Sequence, residues 1–195
     1  MSPIASASLS QDASDEDLVR GIARGERAAM QTLFARHQVK VFRFIFRMVR
    51  DEALAEDLTS DTFLDIWRQA GRFEFRSQVS TWILGVARFK ALSSRRKRRE
   101  AGAEDDEMAA VPDTADDPEL TAQKASKADQ LRACIDGLTE VQREIIDLVY
   151  YQERSIKEIS ELLGIPENTV KTRMFNARKR LSELMAEAGI DRGWP

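Results

Sequence analysis

SIKEISELLGIPENTVKTRMFNARKRL, residues 155–181, decides how this chain folds. Ser155 followed three residues later by Glu158 is the signature of a capping box, which starts a helix by satisfying its first free N–H groups. Ile156, Ile159, Leu162 and Leu163 give that helix its apolar stripe. Gly164 then supplies a turn, and Pro166 suits the first turn of a second helix. The segment therefore predicts helix, tight turn, helix, the arrangement that sets its second helix into a DNA major groove.

In that second helix Val170, Met174, Ala177 and Leu181 share one side. Asn168, Thr172, Asn176 and Lys179 lie opposite, flanked by Lys171, Arg173, Arg178 and Arg180. A charged solvent face is the ordinary property of any amphipathic helix. Here five cations stand between 167 and 180 against one acid, Glu167, which sits at the helix start where the dipole favours it. That imbalance favours nucleic acid as the partner. Phe175 falls well off the apolar face, where its ring can meet a thymine methyl or pack on the preceding helix.

The 195 residues allow one ordinary domain or two small ones, and two are expected. Hydrophobic residues at 43% and charged residues at 32% fit a soluble, helix-rich protein. The net charge of −3 hides local polarity: RFKALSSRRKRRE, 88–100, holds seven cations, and nine acids with no base run from Glu100 to Glu119. No apolar run approaches the roughly 20 residues that span a bilayer. The N-terminal MSPIASASLSQDASDED lacks the basic start and apolar centre of a signal peptide, so a cytoplasmic location is expected. With Cys134 and His37 the sole residues of their kinds, an intrachain disulfide and a Cys/His zinc cluster are excluded, and no metal or other cofactor is expected.

Along the chain, residues 1–13 are small and polar and read as a disordered tail. Ser14 with Asp17 caps a short helix over DEDLVRGIARG, and a long amphipathic pattern follows Gly25 through Met30, Leu33, Phe34, Val41, Phe42, Ile45, Phe46 and Val49. EALAEDLTSDTFLDIWRQA is a further helix, with Leu54, Leu58, Phe63, Ile66 and Trp67 at helical spacing and Gly71 at its stop. GRFEFRSQVS reads as a loop, and from Ser80 STWILGVARFKALSSRRKRR resumes as a helix, apolar first and cationic after. Residues 100–123 hold two prolines, many acids and few large apolar groups, and read as a flexible linker. Four helical segments then fill 124–189, and 190–195 are a tail. No strand alternation is visible, so the expected fold class is all-α: two small helical domains, 14–99 and 124–189, the second containing the helix-turn-helix.

The run AEDLTSDTFLDIWRQAGRFEFRSQVSTWILGVARFKALSSRRKRR, 55–99, resembles the promoter-melting domain of bacterial sigma factors, and 155–181 resembles their terminal domain. With the opening DEDLVRGIARGERAAMQTLFARH, 15–37, the chain is similar over about residues 15–189 to the extracytoplasmic-function (ECF) group, which keeps only these two domains and a linker. The resemblance implies a transcription initiation factor, not an enzyme, whose partners are core RNA polymerase, promoter DNA and an anti-sigma factor, with no small-molecule substrate.

It also implies site residues. Asp57, Ser60, Asp61 and Phe63 fall on the motif that docks on the clamp coiled coil of the largest polymerase subunit. The minus-ten element would be held as melted single strand, with Phe73, Phe75, Arg76, Ser77 and Gln78 forming a base pocket. Trp82, Arg88 and Lys90 would flank that pocket, and Arg95, Arg96, Lys97, Arg98 and Arg99 would contact the backbone. Stacking and hydrogen bonds to an extruded base return about the few kcal/mol that unstacking costs, so melting would need capture rather than ATP. The duplex minus-thirty-five element would be met by Asn168, Thr169, Lys171, Thr172, Arg173, Phe175, Asn176 and Lys179, nearly the face that the helical wheel selects. The chain departs from many relatives at Ser60 (glutamine there) and Phe89 (asparagine), and from some at Lys171 and Asn176 (arginine). The acidic linker would thread the polymerase toward its active-site channel.

A two-domain DNA-binding regulator would use the helix-turn-helix alone, and a signal-receiving version would need alternating strands and helices, which are not visible. An enzyme such as a nuclease would need convergent carboxylates, whereas the acids here cluster in the linker or on helix faces, without a Gly-rich phosphate loop or nucleophile elbow.

Overall fold

All regular structure in the computed structural model of the chain is helical among the described residues, 13–102 and 129–190. They fall into two units, one within residues 1–109 and one within 110–195. The expected tail at 1–13, apart from Ala13, most of the expected linker (103–123), residues 124–128 and the end of the C-terminal tail lie outside the described residues.

In the first unit, the Ser14 hydroxyl accepts from the Asp17 N–H at 3.1 Å and starts helix α1, Asp15–Ala23. Leu18, Val19 and Ile22 bury its inner stripe. A Cβ on Gly21 would come within 2.7 Å of Glu26 Oε2 and 3.0 Å of the Ala29 Cβ, so glycine lets α1 pack closely on helix α2, Arg27–Val49, without displacing either side chain. Asp15 ties the same two helices polar side to polar side, accepting from Arg36 Nη1 at 2.9 Å and lying 2.6 Å from His37 Nε2. Helix α3, Glu52–Gln69, is capped by Asp51, whose carboxylate accepts from the Leu54 N–H at 3.0 Å. A single 3₁₀ turn, Ala70–Arg72, follows Gln69 where Gly71 predicts the stop. Helix α4, Val79–Glu100, begins one residue before the expected Ser80.

Helices α1 to α4 pack around one core that includes Leu33, Val41, Phe44, Ile45, Ile66, Ile83 and Ala87. Removing a large member such as Phe44 would cost about 3–5 kcal/mol.

The second unit is helical over 129–136 (α5), and the Arg143 guanidinium fastens the following turn by donating to the carbonyls of Ile135, Asp136 and Leu138. Thr139 and Gln142 form a reciprocal capping box at the start of α6, Glu140–Ile146. The helix expected to continue through TEVQREIIDLVYYQ instead widens into a π-type turn over Asp147–Tyr151. The Ser155–Glu158 capping box is present as expected and starts α7, Ile156–Leu163. Gly164 at φ 65° makes the left-handed turn that a side chain would strain, and the Ser160 hydroxyl donates to the Ile165 carbonyl at 2.6 Å across it. Pro166 is the N-cap of α8, Glu167–Glu187, one place earlier than its expected seat in the first turn. Helix α8 packs on α6 and α7 over a core that includes Ile145, Leu148, Ile159, Val170 and Ala177.

Candidate nucleic-acid and polymerase interfaces

On α8 the wheel reading holds. Val170 and Ala177 are buried, Met174 and Leu181 half-buried, while Asn168, Lys171, Thr172, Asn176, Arg178 and Lys179 are exposed. Thr169 and Arg173 sit half-buried at the edge of that face. Phe175 is 66% exposed, so its ring does not pack on the preceding helix and forgoes the burial that ordinarily stabilises a phenylalanine by about 1.5–3 kcal/mol. The Thr172 hydroxyl donates to the Asn168 carbonyl at 2.9 Å, within the helix itself. Arg178 lies over the Tyr150 ring, 5.5 Å from its centroid, and Arg180 turns away to Glu183 and Glu187. What remains outward is a row of amide, hydroxyl, ammonium and aromatic groups suited to base edges and phosphates.

In the first unit the loop after the 3₁₀ turn is built on aromatic stacking. Phe73 lies flat on Trp82 of α4, with ring centroids 4.4 Å apart and an interplanar angle of 16°. Phe75 tilts against Phe73, with ring centroids 4.8 Å apart and an interplanar angle of 58°. Its backbone has φ 55°, a left-handed conformation that costs a bulky residue about 1–3 kcal/mol. Arg20 of α1 offsets part of that cost, its guanidinium lying 4.6 Å from the Phe75 ring centroid. A cleft of about 240 Å³ opens beside the stack, lined by Gln69, Arg72, Phe73, Glu74, Arg76, Ser77 and Trp82. Its volume lies below the range of drug-sized pockets and suits one flat group with polar edges.

The expected base-pocket residues thus divide. Phe73, Arg76, Ser77 and Trp82 line the cleft; Phe75 contacts Phe73 without lining it, and Gln78 is the exposed residue preceding α4. Arg76 pairs with Glu74 at 2.7 Å, but both side chains are largely exposed, and such a pair is worth at most about 1 kcal/mol.

The cations of α4 divide too. Lys90 is held by Asp65 at 2.7 Å and approaches Asp61 at 3.9 Å, and Arg98 is held by Asp51 at 3.2 Å. Arg96, Lys97 and Arg99 are exposed, Arg96 within 3.8 Å of Glu100, whereas Arg88 and Arg95 are half-buried.

On α3, Asp57, Ser60 and Asp61 are exposed along one face. Phe63 is not part of it. Its ring is buried, 3% exposed, and meets Phe34 edge-on at 4.8 Å, because the turn of α3 directs it onto α2. The neighbouring Leu64, 45% exposed, is the apolar group that the acidic face presents. Sequence periodicity alone does not separate two adjacent apolar residues at the edge of a helical stripe. Gln69, Arg72 and Arg20 were likewise outside the expected sites, since nothing local marks a residue that lines or supports a loop elsewhere in the chain.

The family models Sigma-70 region 2 and Sigma-70, region 4 match residues 33–101 and 128–181, in that order. Over 170 residues the chain is 32% identical to the ECF RNA polymerase sigma factor SigK of Mycobacterium ulcerans (strain Agy99), covering 84% of this chain and 89% of that protein. The chain belongs to the ECF sigma factors. As a sigma factor it is a transcription initiation factor, not an enzyme, and works with core RNA polymerase on promoter DNA. It is also 33% identical over 170 residues to the RNA polymerase sigma factor CarQ of Myxococcus xanthus, covering 86% of this chain and 95% of that one. Among solved structures, the sigma factor RpoE in complex with the anti-sigma factor NepR from Bartonella quintana superposes with TM-score 0.66 at 25% identity, over 80% of this chain and 96% of that chain. CnrH in complex with the cytosolic domain of CnrY shares the fold, with TM-score 0.65 at 24% identity over 89% and 97% of the two chains. In this sigma factor no described helix is long and apolar enough to cross a membrane, and the described residues hold no cluster of metal-ligating side chains.

Proposed function

We propose that this ECF sigma factor reads the minus-thirty-five element as duplex with α8 and captures the minus-ten element as melted strand in the cleft of the first unit. The observation that carries the reading is the Phe73–Trp82 stack, with the cleft at its side and a cationic helix leading away from it. An extruded base finds there a flat aromatic wall together with the Arg76 guanidinium and the Ser77 hydroxyl, and the strand's phosphates find Arg96, Lys97 and Arg99. Arg88 and Arg95 are nearby secondary contacts; Lys90 and Arg98 shape the surface through their carboxylate partners. On α8 the contacts are Asn168, Lys171, Thr172, Phe175, Asn176 and Lys179, with Thr169 and Arg173 at the edge of the face. Asp57, Ser60 and Asp61 meet a basic surface of core polymerase, with Leu64 as the anchor in place of Phe63.

The functional domains are residues 14–99 and 124–189, joined by the acidic segment. The protein acts in the cytoplasm and is held inactive by an anti-sigma factor, a reading supported by the NepR complex of the similar RpoE. The test is reconstituted transcription. Purified protein added to core polymerase yields promoter-specific transcripts from genomic fragments, and Arg76→Ala reduces opening while leaving core binding intact. Tight duplex footprinting by the protein alone, with no promoter-specific transcript from any fragment, would reduce it to a simple DNA-binding regulator.

A further inference from the structure

Helix α1 is nine residues long, shorter than the roughly 12–15 at which an isolated helix becomes stable in water, so its position is imposed by what it packs on. One side is apolar, with Leu18, Val19 and Ile22 buried and Gly21 allowing the close approach to α2. Apolar contact is non-directional and opposes sliding along the helix axis only weakly. The polar end is directional. Arg36 of α2 donates to Asp15 Oδ1 at 2.9 Å and to the Ala13 carbonyl at 2.7 Å, and His37 Nε2 lies 2.6 Å from Asp15 Oδ2, so α2 engages both carboxylate oxygens. The His37 side chain is 15% exposed and that of Asp15 29%, so solvent screens this clasp less than it screens a surface pair.

Arg20 stands five residues after Asp15, roughly 7.5 Å along the axis. Its guanidinium is held to α1 itself, 3.0 Å from Asp17 and 3.4 Å from Glu16, and covers the Phe75 ring. The helix also packs on the 3₁₀ turn that leads into the loop. A displacement of α1 therefore arrives at Phe75, and through Phe73 at Trp82.

We propose that Asp15, Arg36 and His37 are positioning residues for the minus-ten cleft: their clasp sets where α1 stands, and α1 sets where Arg20 holds the Phe75 ring. The inference rests on the reading of that cleft as the capture site. It adds three residues to the site, none of which lines it. Helix α1 then serves as a strut between α2 and the loop, and the shape of the aromatic wall depends on an ion pair on the far side of that strut.

The test uses the full-length protein, alone and with core polymerase. His37 is the residue to change, because Asp15 also lies in the first turn of α1, where an acid favours the helix dipole and its loss would act by a second route. His37→Ala is expected to slow promoter opening several-fold, as loss of the Arg20 contact does, and to shift the Trp82 indole N–H resonance of the free protein in the same direction as Arg20→Ala. His37→Gln, whose amide N–H still donates to Asp15, recovers both. Affinity for core polymerase stays unchanged in every variant. The double variant is decisive: His37→Ala with Arg20→Ala opens no more slowly than Arg20→Ala alone, since the two residues act in series. Effects that multiply overturn the proposal, because His37 would then act through stability alone, and so does a silent His37→Ala beside a slow Arg20→Ala. Arg76→Ala keeps the two readings apart. If it slows opening while His37→Ala moves neither rate nor resonance, the cleft stands and the clasp falls. If Arg76→Ala is silent, the reading of the cleft as the capture site falls, and the proposal with it.

Discussion

The Lys90 Nζ on α4 lies 2.7 Å from the Asp65 carboxylate on α3, so one of the seven cations between 88 and 100 is committed to joining two helices. Both side chains are only 22% exposed, which makes the pair structural. Replacing Lys90 with alanine is expected to destabilise the first unit by about 1 kcal/mol, and a double-mutant cycle with Asp65→Ala recovers that coupling. The salt dependence of promoter binding should not change. Lys97→Ala, in contrast, leaves thermal stability alone and lowers the salt slope by about 0.7, the value for one phosphate contact on a single strand. Salt titrations of the two variants side by side decide the matter.

Phe63 and Leu64 are adjacent and should fail differently. Phe63→Ala removes a buried ring from its edge contact with Phe34 and costs about 3–5 kcal/mol of stability. Leu64→Ala leaves the melting curve nearly unchanged but weakens core-polymerase binding by at least about 1 kcal/mol, as an anchor residue does. Equal core affinity for parent and Leu64→Ala would remove Leu64 from the interface.

The two kinds of group on α8 should separate in a promoter-variant screen. Lys179→Ala is expected to weaken binding about equally on all minus-thirty-five sequences, whereas Phe175→Ala relaxes preference at one base pair, by about 1–3 kcal/mol of discrimination. Binding measured across single-base variants at fixed salt checks both. Gly164→Ala, placed in the left-handed turn before α8, costs the second unit about 1–2 kcal/mol without touching any contact group.

A pH effect is expected at the start of α1. The Ser14 hydroxyl beside Asp17, helped by Arg20, holds that carboxyl below its ordinary value. A carboxyl that is more acidic folded than unfolded adds stability above the unfolded value and loses it as pH falls through the folded one. Ser14→Ala should therefore raise the Asp17 titration midpoint, followed by NMR, and shrink the acid-side loss of stability.

What was legible in the sequence is local. The caps at Ser14 and Ser155 are written within three or four residues, and the stripes of α2, α3 and α8 follow one helix's own period, so the all-α fold and the outward face of α8 could be read directly. What was not legible depends on a second segment. Phe34 draws Phe63 inward, and Asp65 and Asp51 engage Lys90 and Arg98. Counting cations along α4 reveals the charge but not how much of it is already neutralised.

Arg20→Ala is expected to leave core binding intact and slow promoter opening several-fold, because the cation–aromatic contact that steadies Phe75 is worth about 0.5–2 kcal/mol; Arg20→Lys should recover part of the rate in the same stopped-flow assay.

That contact between α1 and the Phe75 ring also bears on engineering. A loop cut from this protein and grafted onto a relative would arrive with its strained backbone but without the arginine that steadies it. Promoter preference in such chimaeras should transfer only when the opening helix travels with the loop, which makes the exchangeable module two stretches of chain rather than one.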